Sequence, residues 1–373
     1  MHKVQISGTG LYTPQQSISN EELVESFNKY VDEFNAENKI KIDEGKVQAL
    51  EKSSVEFIEK ASGVKSRYVQ NKSGILDTSV MRPLLREREE SEMSNLAEMG
   101  YEAAKQALQN SGVSAGEIEA VIVACSNLER AYPAISIEIQ NLLGINGFAF
   151  DMNVACSSAT FAIQAAADMI RSGSANTILI VDPEICSGHL DFKDRDCHFI
   201  FGDVCTAMIL ENKDTANSNN CFEIISTKCI TQFSNNIRNN FGFLNNAKNS
   251  SPLDRDLLFM QEGRKVFKEV VPMVSQLIID HLNEEKIEIE EIKRLWLHQA
   301  NKSMNDLIGK KVLGRVPEEY EQPNILQDYA NTSSAGSIIA FSLYSQDMKS
   351  NEVGVLCSFG AGYSAGSIIL KKL

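Results

Sequence analysis

The strongest constraint on the fold of this chain is an internal repeat. Residues 114–127 and residues 287–301 share one plan, in which an acidic segment precedes a short apolar run and a polar loop. Further along each half, Cys156–Ala159 and Thr332–Ala335 each begin a stretch of small residues typical of a buried helix. A strand-like run then follows in both halves after nearly the same gap. Two matched series of elements in the same order indicate a chain folded as two similar halves.

Short apolar runs alternate with longer stretches in which apolar residues recur at helical spacing. Strands that alternate with helices are typical of an α/β layered fold. The repeat therefore predicts two pseudo-symmetric halves of βαβαβ type, with paired sheets. The strand-like runs are 121–124, 178–181, 295–297 and 354–357, and the helical stretches are 96–110, 159–171 and 266–282.

Polar segments indicate where the halves meet. We predict an N-terminal half at residues 1–212 and a C-terminal half at residues 221–373, joined by the polar segment 213–220. A second polar loop is predicted at 245–251.

Residues 16–92 fit neither half. They are charged and contain two predicted helices, so we interpret them as an insertion that forms a cap or a dimer element. The helices are predicted at 20–35 and 42–62.

Charge and composition exclude several classes of protein. The formal net charge of −14 disfavours binding to nucleic acid or to anionic membranes. The chain has no apolar run long enough to span a bilayer, and its first residues lack the apolar core of a signal peptide. None of the eight cysteines forms a closely spaced pair, so neither a disulfide framework nor a metal site is expected. These features predict a cytoplasmic protein.

A cysteine at the start of a small-residue stretch is the first candidate for chemistry. Cys156 follows the strand-like run 148–152 and precedes a predicted buried helix. The N–H groups at a helix N-terminus carry partial positive charge, which predicts a lowered pKa and a reactive thiolate. A thiolate is the nucleophile that acyl transfer requires. Taken alone, Cys156 could equally be a structural cysteine.

Two further polar residues lie at matching places in the repeat. His298 follows the strand-like run 295–297 and suits acid–base work or donation to an oxyanion, with a structural histidine as the alternative. Asn331 lies beside the helix start that mirrors Cys156, with a role as helix N-cap as the alternative. Two-fold pseudo-symmetry predicts that the two helix starts face one centre.

A glycine-rich turn supplies a fourth candidate. The segment 358–366 follows a strand-like run and contains Gly360, Gly362 and Gly366. Its backbone N–H groups are suited to an oxyanion hole. Binding of phosphate is the alternative, but the lysine of a phosphate-binding P-loop is missing.

Taken together, these motifs resemble those of the β-ketoacyl-acyl-carrier-protein synthase III family of the thiolase superfamily. The resemblance rests on four ordered segments and covers most of the chain outside residues 16–92. It implies a thiolase-like α/β fold with five layers, αβαβα. The segments are the cysteine within 153–160, HQAN at 298–301, NTSSA at 331–335 and FGAG at 359–362.

The resemblance also implies a mechanism. Cys156 would accept an acyl group from an acyl-CoA, with the N–H groups of Cys156 and Ala361 as the oxyanion hole. His298 and Asn331 would bind malonyl-acyl-carrier protein and stabilise the enolate formed as carbon dioxide leaves. The product would be a β-ketoacyl-carrier protein for fatty-acid biosynthesis. No metal or redox cofactor is implied.

An acidic carrier protein requires a basic surface on this acidic chain. Two predicted helices supply one, and ordinary solvated helix faces are the alternative. The family's arginine after the HQAN motif is Ser303 here, beside Lys302. The predicted carrier-binding residues are Arg264, Lys265, Lys268, Lys302, Lys310 and Lys311.

Other positions bear on the acyl donor. The family's tryptophan and arginine at the adenine of CoA appear as Phe57 and Ala61, which predicts a changed adenine site and a donor other than acetyl-CoA, such as a medium-chain acyl-CoA. Tyr132 matches an aromatic residue that enters the acyl pocket of the partner subunit, which predicts a homodimer.

Two alternative functions stay open. One is a non-decarboxylating acyl-CoA condensing or acyl-transfer enzyme, and the other is a catalytically silent heterodimer partner.

Overall fold

The structure is a computed structural model of the chain, and it describes residues 2–216, 218, 221–240, 242 and 255–373. The predicted loop at 245–251 lies outside the described residues, as do residues 217, 219 and 220 of the predicted linker.

The strands are β1 (Val4–Tyr12), β2 (Gln16–Ser19), β3 (Ser66–Val69), β4 (Ala120–Ala124), β5 (Phe148–Met152), β6 (Thr177–Ile185), β7 (Asp203–Asn212), β8 (Phe222–Ser234), β9 (Ile237–Arg238), β10 (Met260–Gln261), β11 (Ile292–Leu297), β12 (Val353–Gly360) and β13 (Gly362–Lys372). The helices are α1 (Asn20–Glu37), α2 (Lys39–Asp43), α3 (Val55–Ser62), α4 (Lys72–Leu76), α5 (Asn95–Ser111), α6 (Ile135–Leu143), α7 (Ser158–Ser172), α8 (Gly263–Glu284), α9 (Lys302–Leu313), α10 (Leu326–Tyr329) and α11 (Ala335–Leu343). The predicted strands and helices of the repeat are confirmed.

Nine of the described strands form one sheet, in the order β11-β12-β13-β8-β1-β7-β6-β4-β5. The run β4-β6-β7-β1 of the first half is matched by β11-β12-β13-β8 of the second, with the same change from parallel to antiparallel pairing. The sheets of the two halves join where Val4–Ile6 pairs with Phe222–Ile224. The duplicated plan predicted from the repeat is therefore present.

Three apolar cores stack the helices and strands into five layers. In the central core, α7 and α11 pack between strands of the two halves. On one outer side α5 and α6 cover β4 and β6, and on the other α8 and α9 cover β11 and β12. Burying each large aliphatic side chain contributes roughly 1.5–3 kcal/mol. Because the halves share the central core, the predicted boundaries at 212 and 221 stay a prediction.

Residues 16–92 pack on a segment of the N-terminal half. Phe27 of α1 and Ile58 of α3 share a core with Phe199 and Phe201. The first predicted helix is confirmed as α1, whereas the second, 42–62, is wrong in part because residues 44–54 are not helical. Gly45 takes a left-handed conformation, and Ser54 caps a new helix by accepting the Phe57 N–H.

Among the described residues, no helix is long and apolar enough to cross a membrane.

Candidate active site

The three residues predicted as a catalytic set line one cavity. Cys156, His298 and Asn331 reach it from three different loops, and its volume is about 570 Å³. Gly360, at the end of β12, lies on the same wall. The convergence predicted from the pseudo-symmetry is thus present in the structure.

The backbone around Cys156 leaves no room for a side chain opposite it. A Cβ added to Gly360 would lie 2.5 Å from the Cβ of Cys156, a distance that atoms do not tolerate. Ala155 adopts the left-handed conformation, with φ of 48°. Its N–H is held by the Asn153 side chain at 2.9 Å. The chain therefore turns sharply before Cys156 and presents the thiol to the cavity.

The acidity of the Cys156 thiol differs from the predicted acidity. Helix α7 begins at Ser158, so Cys156 precedes its first turn. Burial raises the pKa of Cys156 to about 11, and the charge of Glu184 adds to this effect. Hydrogen bonds from the Ser333 hydroxyl and from backbone N–H groups oppose it without overcoming it. The predicted lowering of the pKa is therefore wrong, because desolvation of the thiolate outweighs the helix terminus.

This acidity predicts how alkylation of Cys156 depends on pH. The thiol is protonated below its pKa of about 11, so the thiolate fraction rises about tenfold for each pH unit below that value. We expect the rate of iodoacetamide addition, followed by intact mass, to rise about 100-fold between pH 7 and pH 9. A rate that is flat over this range would show that the thiol is already ionised. Cys156→Ser should carry no such adduct.

His298 is held by its backbone and is neutral. Its N–H donates to the Cys357 carbonyl at 2.8 Å, and its carbonyl accepts from the Asn305 amide at 2.9 Å. The ring lies edge-on to Phe359, and burial lowers the pKa of His298 to about 4. At neutral pH the imidazole therefore carries one N–H donor and no charge. Such a group suits donation to a developing oxyanion.

The side chain of Asn331 is oriented by the turn that follows it. Its Oδ1 accepts the Ser333 N–H at 2.9 Å, so the Nδ2 donor is left for the cavity. Its backbone bonds Ile200 and Gly202 at 2.9 and 3.1 Å. Because α11 begins at Ala335, the alternative of Asn331 as its N-cap is excluded.

The glycine-rich turn brings Ala361 to the thiol. Ala361 connects β12 and β13, and its backbone N–H contacts the thiol of Cys156. The N–H of Cys156 itself contributes in the same way. These are the two groups predicted as the oxyanion hole, and both favour negative charge at this point.

The walls of the cavity are largely apolar and aromatic. Phe57 comes from α3, and its ring stacks against the guanidinium of Arg195 at 4.2 Å from the ring centroid. Arg195 also donates to the Lys52 carbonyl at 2.8 Å. Ala61 lines the cavity too. Sequence reasoning missed Arg195, because no motif or spacing marks an arginine that reaches a helix far from it along the chain.

The predicted carrier-binding residues lie on two helices that pack together, α8 and α9. Arg264 lines the cavity, whereas Lys265 and Lys302 pair with neighbouring carboxylates, Glu262 and Asp306. Lys268 lies on α8, as Arg264 and Lys265 do. Lys310 and Lys311 lie in the last turn of α9. The structure thus places all six on one pair of helices.

Tyr132 is not brought to the cavity within this chain. It is 84 % exposed, and the apolar residues Ile137 and Phe148 are exposed as well. Phe148 belongs to β5, the strand at one edge of the sheet.

Within the part of the chain that the structure describes, no group of three or more His, Cys, Asp or Glu side chains is placed to hold a metal ion. All eight cysteines are free thiols.

A duplicated five-layer α/β fold with a cysteine, a histidine and an asparagine in one cavity defines a thiolase-type condensing enzyme. Comparison with known proteins agrees. The family profiles of 3-oxoacyl-[acyl-carrier-protein] synthase III match residues 150–232, and those of its C-terminal part match residues 282–372.

Relatives extend the match over the whole chain. The β-ketodecanoyl-[acyl-carrier-protein] synthase of Pseudomonas aeruginosa is 59% identical over 94% of this chain and 100% of its own. The β-ketoacyl-[acyl-carrier-protein] synthase III of Clostridium perfringens is 29% identical over 100% of both chains. The crystal structure of 3-oxoacyl-[acyl-carrier-protein] synthase III from Aquifex aeolicus has a TM-score of 0.76, with 23% identity over 99% of each chain.

The chain belongs to the β-ketoacyl-acyl-carrier-protein synthase III family of the thiolase superfamily. It is an acyltransferase with condensing activity in fatty-acid synthesis. The thiolase-like fold implied by the sequence resemblance is confirmed.

Proposed function

We propose that the enzyme condenses a medium-chain acyl group from acyl-CoA with malonyl-acyl-carrier protein by way of an acyl-Cys156 intermediate. The observation that carries this proposal is the shared cavity of Cys156, His298 and Asn331, whose wall holds the turn that directs the Ala361 N–H to the thiol.

In the proposed first step, the sulfur of Cys156 attacks the thioester carbon of the acyl-CoA. The new bond joins that carbon to Sγ, the bond to the CoA sulfur breaks, and the proton of Cys156 ends on the CoA thiol. The N–H groups of Cys156 and Ala361 bind the negative oxygen of the intermediate. Because the thiol is neutral in the resting enzyme, its proton has to leave as the attack occurs.

In the proposed second step, the malonyl group loses carbon dioxide and leaves an enolate. The neutral His298 ring and the Nδ2 of Asn331 donate to the enolate oxygen, where negative charge develops. The enolate carbon then bonds to the acyl carbon, the bond to Sγ breaks, and the thiolate takes up a proton. The product is a β-ketoacyl-carrier protein.

The proposed length of the acyl primer rests on the relative from Pseudomonas aeruginosa, which is named for a β-ketodecanoyl product. A decanoyl chain has ten carbons, and decarboxylative condensation with malonyl adds two of them. The primer of such a reaction therefore has eight carbons. The aromatic walls formed by Phe199, Phe201 and Phe259 support an apolar acyl chain in this chain's cavity as well.

The acyl-CoA and the carrier protein are proposed to reach Cys156 through the same entrance of the cavity. Phe57, stacked with Arg195, offers a flat surface and a cation to the adenine and phosphates of CoA. The basic residues of α8 and α9 face an acidic carrier protein. A homodimer is proposed because Tyr132 and Phe148, the first residue of the edge strand β5, are both exposed. Free cysteines support the proposed cytoplasmic location.

The chain-length proposal is tested by competition. An equimolar mixture of acyl-CoAs with two to twelve carbons is added, and intact mass reports which acyl group loads onto the protein. We expect the eight-carbon adduct to form at least about tenfold faster than the acetyl adduct, because each methylene in an apolar pocket discriminates by roughly tenfold or more. Fastest loading by acetyl-CoA would contradict the medium-chain assignment, and Cys156→Ser should take up none.

A further inference from the structure

Two carboxyl groups are buried together behind the catalytic turn. Asp182 and Glu184 lie on β6, with exposures of 2 % and 0 %, and both hydrogen-bond the hydroxyl of Ser334. Ser334 belongs to the other half of the chain and stands three residues after Asn331. This contact therefore ties the two halves together next to the site.

Counting hydrogens at this contact shows that the pair holds a proton. The Ser334 Oγ lies 2.6 Å from Asp182 Oδ1 and 2.8 Å from Glu184 Oε1. A hydroxyl has one hydrogen to donate, so only one of these contacts can have serine as the donor. In the other, the carboxyl group has to donate to the serine oxygen, and it has to be protonated to do so.

The surroundings decide which carboxyl carries the proton. Glu184 accepts the N–H of Ser126 at 3.0 Å and the hydroxyl of Ser126 at 2.5 Å, besides the Ser334 hydroxyl. Three donors suit an ionised carboxylate. Asp182 contacts two hydroxyls, those of Ser334 and Thr206, and so has fewer donors than Glu184. Hydrogen bonding therefore favours a neutral Asp182 and an ionised Glu184.

Titratable groups from every side of the pair are consistent with a single negative charge there. Cys125 follows β4, Cys186 follows β6 and Cys205 lies on β7, and burial together with the nearby carboxylates raises the pKa of each thiol. Burial and the charge of Glu184 raise the pKa of the Cys156 thiol as well. Burial and the neighbouring charge of Glu184 raise the pKa of Asp182 well above its ordinary value. A thiol carries no positive charge in either protonation state, so none of these groups offsets the charge of a second carboxylate.

We propose that Asp182 is a protonated positioning residue: its acid group donates to Ser334, Ser334 donates to Glu184, and this chain of hydrogen bonds fixes the turn that carries Asn331 and Ser333. The turn matters because Ser333 contacts the sulfur of Cys156 at 3.5 Å and bonds Asn331 Oδ1 through its N–H. This inference rests on the proposed function for its kinetic readout.

Substitutions of Asp182 and Glu184 test the proposal. Asp182→Asn keeps a donor toward Ser334, so its condensation rate should stay within about twofold of the wild type. Asp182→Ala and Glu184→Ala break the chain, and kcat should fall by ten- to about 100-fold because a donor displaced by about 1 Å loses that much. KM for the acyl-CoA should not change, since neither carboxyl lines the cavity. Equal losses in Asp182→Asn and Asp182→Ala would overturn the proposal.

A second measurement does not depend on activity. Infrared difference spectra of wild type and Asp182→Asn are recorded at about pH 9, where Glu184 is ionised because its pKa is about 7. They should show one protonated carboxyl band that the variant lacks, and Glu184→Gln serves as the matched control. Absence of that band from the wild type would overturn the proposal even if all variants unfold. If the wild type failed to condense but showed the band, the proposed function would be wrong and the proton assignment would stand.

Discussion

Cys156→Ser is expected to lose acyl transfer and condensation by about 10⁴-fold or more, the scale seen when a covalent nucleophile is removed. A serine hydroxyl has a far higher pKa than a thiol, and His298 is too weak a base to activate it, because burial lowers the pKa of His298 to about 4. The measurement is the rate of acyl-enzyme formation, read by intact mass, together with the rate of β-ketoacyl product formation.

The matched control is Cys229→Ser, which changes a partly buried cysteine on β8 that does not line the cavity. It should load one acyl group at the rate of the wild type. If Cys156→Ser kept condensing at even a tenth of the rate of the wild type, another residue would have to be the nucleophile.

Asn331→Ala is expected to separate the two half-reactions. Loss of one oxyanion donor lowers a rate by about 10²–10³-fold, and this loss should fall on decarboxylation of malonyl-carrier protein. Acylation should change by less than about tenfold, because the N–H groups proposed for that step belong to Cys156 and Ala361. His298→Ala should behave in the same way, since its neutral ring is the second donor.

Carbon dioxide release from labelled malonyl-carrier protein and acyl loading by intact mass report the two steps separately. Asn110→Ala is the matched control, because the exposed side chain of this asparagine donates to the Thr9 carbonyl and does not line the cavity. A variant of Asn331 that lost acylation and decarboxylation equally would argue against the proposed division of roles.

The sequence was sufficient to predict the two paired halves and the three polar residues that meet in the cavity. The repeat predicted the paired halves, because each half has to bury its small-residue helix against the other. It also predicted that Cys156 and Asn331 would face one centre, since both stand where a buried helix begins.

Properties set by burial and by distant partners could not be predicted in this way. The pKa of Cys156 depends on how much water the completed cavity excludes, which local sequence does not record. The contact of Ser334 with Asp182 and Glu184 joins residues 150 and more positions apart. Arg195 reaches Phe57 across a similar distance in the chain, so neither arrangement leaves a periodic or local signal.

The most direct test is a single-turnover experiment on the wild type. The enzyme is loaded with octanoyl-CoA, freed of excess donor, and mixed with labelled malonyl-carrier protein while intact mass follows Cys156. We expect one octanoyl group on Cys156 to disappear at the rate at which one equivalent of carbon dioxide is released, with β-ketodecanoyl-carrier protein as the product. An acyl group that stays on Cys156 while carbon dioxide is released, or no acyl group on Cys156 at any stage, would contradict the proposed mechanism.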